Sequence, residues 1–228
     1  MSVLYHVMSR GVDKRTIFKE DRDYLRFIHD LFVFNDANPN CNANARFNRH
    51  RQIESTDIAS QYVIRELRDL IVDLYAFCIM PNHYHLLLSP IKEDGLSQFL
   101  RKLNVGYSKY FNIKYERKGA LFESRFKRIE ITSEPHFIHL PYYIHSNPLD
   151  LFDHGWRKRE IANPQDAWEF LMNYKWSSHL DYAGKKNFPL VTQRGFLAEI
   201  FNGSDGYQTM FRKWIEEMQM PSGAITLE

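Results

Sequence analysis

The sharpest chemical feature of this chain is His83-Tyr84-His85, followed directly by Leu86, Leu87 and Leu88. On a strand, residues two apart point to the same face, so the two imidazoles stand roughly 7 Å apart at the backbone and can converge on one divalent cation. A second reading is two hydrogen-bonded histidines on an edge strand. The next feature is Tyr143 with Asn147, four residues apart and on one face of a helix. A tyrosine hydroxyl can attack phosphorus and leave a covalent phosphotyrosine. That chemistry needs a cation to neutralise the phosphate and polarise its oxygens. An amide one turn away can complete a metal shell or hold the phosphate. The alternative is a packing tyrosine beside a helix-terminal asparagine.

Charge supplies the third feature. From Phe99 to Arg128, nine basic residues stand against Glu116 and Glu123, a net +7 in a chain whose whole net is +2. They are Arg101, Lys102, Lys109, Lys114, Arg117, Lys118, Arg125, Lys127 and Arg128. Phe99, Tyr107, Tyr110, Phe111, Tyr115, Phe122 and Phe126 lie among them. Cations for phosphates and rings for bases suit a single-stranded nucleic acid. The competing reading is a solvated helix face over a core stripe. Arg10, Lys14 and Arg15 form a smaller basic cluster. The candidate nucleic-acid contacts are therefore Arg10, Lys14, Arg15, Arg101, Lys102, Lys109, Arg125, Lys127 and Arg128.

The elements that must position these groups follow from periodicity. Residues 1–12 read as a strand. Tyr24, Phe27, Ile28, Leu31 and Phe32 give a helix over about Asp21–Phe34. Six of the fourteen residues from Asn35 to Asn48 are asparagine, which reads as a loop. Val63, Leu67, Leu70 and Ile71 give a further helical pattern. IVDLYAFCIM and PNHYHLLLSP read as two strands joined by the turn Pro81-Asn82. An amphipathic helix spans about Leu96 to Tyr115, and residues 120–132 read as a strand. Ser133-Glu134-Pro135 starts another helix, which Asn147-Pro148 ends. Pro141 lies inside it and either opens a new helical turn or kinks it. Without the inserted helix the order is β-α-β-β-α-β, the ferredoxin-like split arrangement of an α+β fold, with a terminal helix. Residues 1–150 form this domain, with the insertion at about 35–70. Residues 151–228 form a mainly helical extension, with helices near 164–173, 193–201 and 205–218.

With 228 residues the chain holds one domain with an extension, or two small domains, and can bury a real core. No run of about 18 apolar residues exists, which excludes a membrane-spanning helix. The opening MSVLYHVMSRGV lacks the apolar stretch of a signal peptide, so a cytoplasmic location is expected. Cys41 sits in polar and Cys78 in apolar surroundings, which excludes a disulfide framework. The net charge excludes a histone-like polycation.

MPNHYHLLL, with His83 and His85, resembles the histidine–hydrophobic–histidine signature of HUH single-tyrosine transposases. YHVMSRG, GALFESRFK and YIHSNP are similar to the same family in the same order, and YKWSSHLDY is similar to its C-terminal tail. Within the family the chain most resembles the REP-associated tyrosine transposases. The resemblance covers roughly residues 3–150 well and 165–182 loosely. It implies a ferredoxin-like fold and a nickase and strand transferase that cuts and rejoins single-stranded DNA beside hairpins, in which a tyrosine becomes joined to the 5′ phosphate. It implies Mg²⁺ or Mn²⁺ held by His83 and His85, with Asn147 as third ligand and Tyr143 as nucleophile. Imidazole is an uncommon partner for Mg²⁺, so Mn²⁺ is expected to work as well or better. The implied partner is hairpin-forming single-stranded DNA of a repetitive palindromic element, bound by a monomer or homodimer. The other reading is a domesticated, non-catalytic binder of structured DNA or RNA.

Overall fold

The computed structural model describes residues 3–38, 68–132 and 134–218. In chain order they form β1 (Leu4–Arg10), α1 (Asp21–Val33), β2 (Val72–Met80), β3 (His83–Pro90), α2 (Gly95–Lys114), β4 (Lys127–Ile131) and α3 (Glu134–Ser146). Two 3₁₀ turns, Asn147–Leu151 and His154–Lys158, lead to α4 (Pro164–Asn173), α5 (His179–Tyr182), α6 (Gly195–Ile200) and α7 (Gly203–Glu217). The four strands lie in the order β2-β3-β1-β4, with every neighbouring pair antiparallel. β1 and β2 therefore run parallel with β3 between them, the split arrangement expected from the sequence. No helix among the described residues is long and apolar enough to cross a membrane.

The sheet is covered on both faces. On the first, α1 buries Tyr24, Phe27, Ile28 and Leu31, and α2 buries Leu96, Phe99, Leu100, Leu103, Tyr107 and Phe111. They pack against Val7, Phe77, Ile79, Tyr84, Leu86 and Leu88 of the strands. α1 begins at a capping box in which Glu20 and Asp23 exchange backbone bonds. On the second face, Ala76, Cys78, Met80 and Leu87 meet Leu140, Tyr142 and Ile144 of α3, and Trp168, Leu197, Phe201, Tyr207 and Phe211 of the C-terminal helices. β2 serves both faces by alternation, and its register shifts between Leu74 and Ala76. That bulge reverses the alternation, so Val72 and Leu74 face α1 and α2 while Tyr75 and Ala76 join the second cluster. The C-terminal chain also closes the β2 edge: Ile79 N–H donates to the Trp176 carbonyl at 2.9 Å and Phe77 N–H to Ser178 Oγ at 2.9 Å.

Three local expectations change. The strand expected over 120–132 shrinks to Lys127–Ile131. Leu121 and Phe122, adjacent in sequence, both enter the first core, which an alternating strand does not permit. Asn35, expected to open a loop, is buried instead. Its Oδ1 accepts from Ile71 N and Val72 N at 3.1 and 2.9 Å, and its Nδ2 donates to the Val72 carbonyl at 2.9 Å. That side chain does the work of a strand neighbour, so Leu70 and Ile71 run straight into β2 rather than closing a helix. The rest of the expected asparagine-rich loop and inserted helix lies outside the described residues, as does Cys41; Cys78 is a buried free thiol.

Candidate active site

Alternation along β3 sends Tyr84 into the first core, where its hydroxyl donates to Asn104 Oδ1 at 2.7 Å, and turns His83 and His85 to the second face. Antiparallel register places Arg10 opposite His83, Met8 opposite His85 and His6 opposite Leu87. Directly opposed residues share a face, so His6, Met8 and Arg10 flank the histidine pair. The His83 and His85 ring centroids are 5.0 Å apart. His83 Nδ1 lies 2.6 Å from Asn82 Oδ1 and donates to it. His85 Nδ1 lies 2.9 Å from His6 Nε2, and those rings stack at 5.1 Å.

With both Nδ1 atoms engaged, Nε2 of each ring is the nitrogen left to a ligand. His85 Nε2 is buried and has no hydrogen-bond partner. A buried imidazole nitrogen without a partner is costly unless something binds it. Burial pushes the His83 imidazole down to about 4, with Arg10 and Arg157 adding to the effect and Asp150 opposing it. Burial holds His85 well below the ordinary histidine range, helped by His6 and His83. Both rings are thus neutral near pH 7, the form that ligates metals. The pair fits a divalent cation as a two-nitrogen donor set. Among the described residues, no group of three His, Cys, Asp or Glu side chains is placed to hold a metal.

α3 runs unbroken through Pro141 and presents its two tyrosines to different surroundings. Tyr143 is half-buried and meets the rings of His6 and His85 edge-on at 6.0 and 6.2 Å. Tyr142 points into the C-terminal core against Phe201 and Phe211, both at 5.2 Å, where burial raises its phenol above the ordinary range. Asn147 is fully buried. Its Nδ2 donates to the carbonyls of Tyr143 and Ile144 at 2.9 and 3.3 Å, and its Oδ1 accepts from Arg157 Nη2 at 3.0 Å. Its amide is spent on the helix end and on Arg157, so a ligand role requires Oδ1 to leave that arginine.

The basic residues divide between the two faces. Arg10 is half-buried beside His83, and its Nε has no hydrogen-bond partner. Lys127, opposite Met8, shares the histidine face and is exposed. Arg125 and Arg128 are also exposed, but Arg128, opposite Val7, turns to the other face, over the Tyr5 ring at 5.6 Å, and the Arg125 carbonyl accepts from Asn104 Nδ2 of α2 at 2.8 Å. Lys14 is exposed, and Arg15 pairs with Asp13 at 3.0 Å. Arg101 and Lys109 are exposed on α2, which covers the other face of the sheet, and Lys102 donates to the Asp36 carbonyl at 3.2 Å. Most of the interleaved aromatics are core: Phe99, Tyr107, Phe111 and Phe122 are buried, and the hydroxyls of Tyr110 and Tyr115 donate to Asp23.

Two residues that sequence reasoning passed over belong to the site. His6 reads as an ordinary strand histidine, and only the β1–β3 register brings it to His85. Arg157 falls in a stretch that reads as loop. His139 is exposed, whereas His145 is buried between Tyr207 and Ser178.

Comparison with known proteins gives two kinds of match. Residues 45–147 match the family model for IS200-like transposases. Among curated proteins, none matches the chain. A solved structure of a REP-associated tyrosine transposase bound to a REP hairpin is 14% identical, covers 83% of this chain and 83% of its own, and gives a TM-score of 0.47.

Proposed function

We propose, from the premise that residues 45–147 belong to the IS200-like transposases, that this chain cuts and rejoins single-stranded DNA near hairpins through Tyr143. The observation that carries the reading is the meeting of Tyr143 with His85 and His6 at 6.2 and 6.0 Å, inside a transposase-family chain. In the cleavage step, Tyr143 Oη forms a bond to phosphorus and the bond from phosphorus to the 3′ oxygen breaks. The phenolic proton passes to solvent and the 3′ oxygen takes one up. One phosphoester replaces another, so rejoining is the same exchange reversed and needs no external energy. His83 and His85 would hold a divalent cation, Mn²⁺ or Mg²⁺, which when bound supplies charge neutralisation at the phosphate oxygens. The residues themselves do the rest. Burial keeps the imidazoles neutral, and Asn147 ties the end of α3 to Arg157. Arg10 and the exposed Arg125, Lys127 and Arg128 offer cations to the strand. Residues 1–150 form the catalytic domain on this reading, and 151–228 the extension, whose described helices pack on the second face of the sheet.

A covalent-capture assay tests the proposal. The protein is incubated with hairpin-forming single strands from the DNA flanking its own gene, with Mn²⁺ or Mg²⁺, beside Tyr143→Phe and His83→Ala. A denaturation-resistant adduct that needs metal, Tyr143 and His83 is expected. Tight hairpin binding with no adduct under any metal would replace the enzyme by a binder of structured nucleic acid.

A further inference from the structure

Arg157 sits where no sequence motif pointed, and its contacts involve all three guanidinium nitrogens. Nε and Nη2 donate to the two carboxylate oxygens of Asp150 at 2.8 and 2.7 Å, a bidentate fork. Nη2 also donates to Asn147 Oδ1 at 3.0 Å. The plane lies over the Trp156 ring at 4.6 Å, and Trp156 Nε1 donates to the same Asp150 at 2.6 Å. The direction of Nη1 is then fixed, and it donates to Tyr143 Oη, 3.2 Å away. The Tyr143 ring also packs on Trp156 at 5.9 Å. Asp150 and Trp156 thus hold the guanidinium, and the guanidinium holds the tyrosine oxygen.

We propose that Arg157 is the positioning residue of the nucleophile: clamped by Asp150 and Trp156, it fixes the Tyr143 oxygen beside the histidine pair. This rests on Tyr143 being the nucleophile. Because Nη1 donates, it occupies an oxygen lone pair and leaves the phenolic proton free to depart. The phenolate that forms at attack then meets a charge-assisted hydrogen bond already in place. Arginine suits the task because its fork is planar and permanently charged, so three anchored donors aim the fourth. Arg157 also comes from beyond residue 150, so the extension completes the site instead of merely supporting it.

The test separates rate from binding. Adduct formation is followed in single turnover, with protein saturating over the same flanking hairpin strands, for the wild-type protein, Arg157→Met, Arg157→Lys and Asp150→Asn. Hairpin affinity and thermal melting are read alongside. Arg157→Met is expected to slow adduct formation about 10²-fold, the cost of a misplaced reacting atom, with affinity within about twofold. Arg157→Lys, which keeps the charge but loses the fork, should fall between, and Asp150→Asn should slow the rate with Arg157 still present. Rates within about threefold of wild type in all three variants would overturn the inference, as would affinity falling in step with rate. Should Arg157→Met fail to melt cooperatively, the Lys and Asp150→Asn variants decide on the same terms. No adduct from the wild-type protein would remove the proposed function itself, and this inference with it.

Discussion

The imidazoles of His83 and His85 are held by different partners, and the difference is open to experiment. His83 leans on the amide of its neighbour Asn82, a local contact. His85 depends on His6, 79 residues away in sequence, through a 2.9 Å bond between His6 Nε2 and His85 Nδ1 that orients its ring. His6→Phe keeps an aromatic ring on β1 but removes that bond. Affinity for Mn²⁺ should then fall 10–100-fold, measured by titration calorimetry; unchanged affinity would mean that His85 orients itself. At this scale the sequence reveals what is local. Two-residue spacing marks His83 and His85, and four-residue spacing marks Tyr143 and Asn147. His6 and Arg157 stay hidden because strand register and the path of the chain after α3 bring them in, and neither leaves a spacing to read.

At the scale of elements, the split sheet decides which cations can share a strand of DNA. Arg125, Lys127 and Arg128 lie on or beside the edge strand β4, with Lys127 on the histidine face and Arg128, opposite Val7, on the other, whereas Arg101 and Lys109 project from α2 behind the sheet. Replacing the first three by alanine should flatten the salt dependence of single-strand binding by roughly 0.7 for each phosphate no longer neutralised. Replacing Arg101 and Lys109 should leave that slope unchanged. The opposite pattern would move the DNA path to the α2 face. The helices themselves are legible in the sequence: α1 and α2 fall within a residue of the spans their apolar periodicity predicts, since burying a stripe at 3.6-residue spacing is what builds them. The short β4 is not legible: paired burial of Leu121 and Phe122 ends the alternation before it, a tertiary choice, whereas β2 starts within a residue of the strand expected from Ile71.

At the scale of the whole molecule, the sheet is a wall between two cores, and the second core carries buried titratable groups. His145 bonds Tyr207 and Ser178, and His179 bonds Tyr207, both fully enclosed. Burial holds His145 well below the ordinary range and pushes His179 down to about 3. A histidine depressed in the folded state takes up its proton more readily once unfolded. Its stabilising effect is therefore complete above about pH 6.5 and is lost as pH falls below that. Each such histidine costs up to about 1.4 kcal/mol per pH unit. Asp181, raised by burial to about 6, works the other way and offsets part of the loss. The urea midpoint should fall between about pH 7.5 and about pH 5.5; a midpoint that holds or rises would show that the histidines are not enclosed in this way.

On the proposed function, the oxygen of Tyr143, and not of its buried neighbour Tyr142, joins to DNA. The most direct measurement isolates the protein–DNA adduct, digests both components and locates the nucleotide by peptide mass spectrometry. A 5′-phosphonucleotide on Tyr143 is expected, in the peptide that carries both tyrosines. A nucleotide on Tyr142, or on any residue outside α3, would contradict the proposed function.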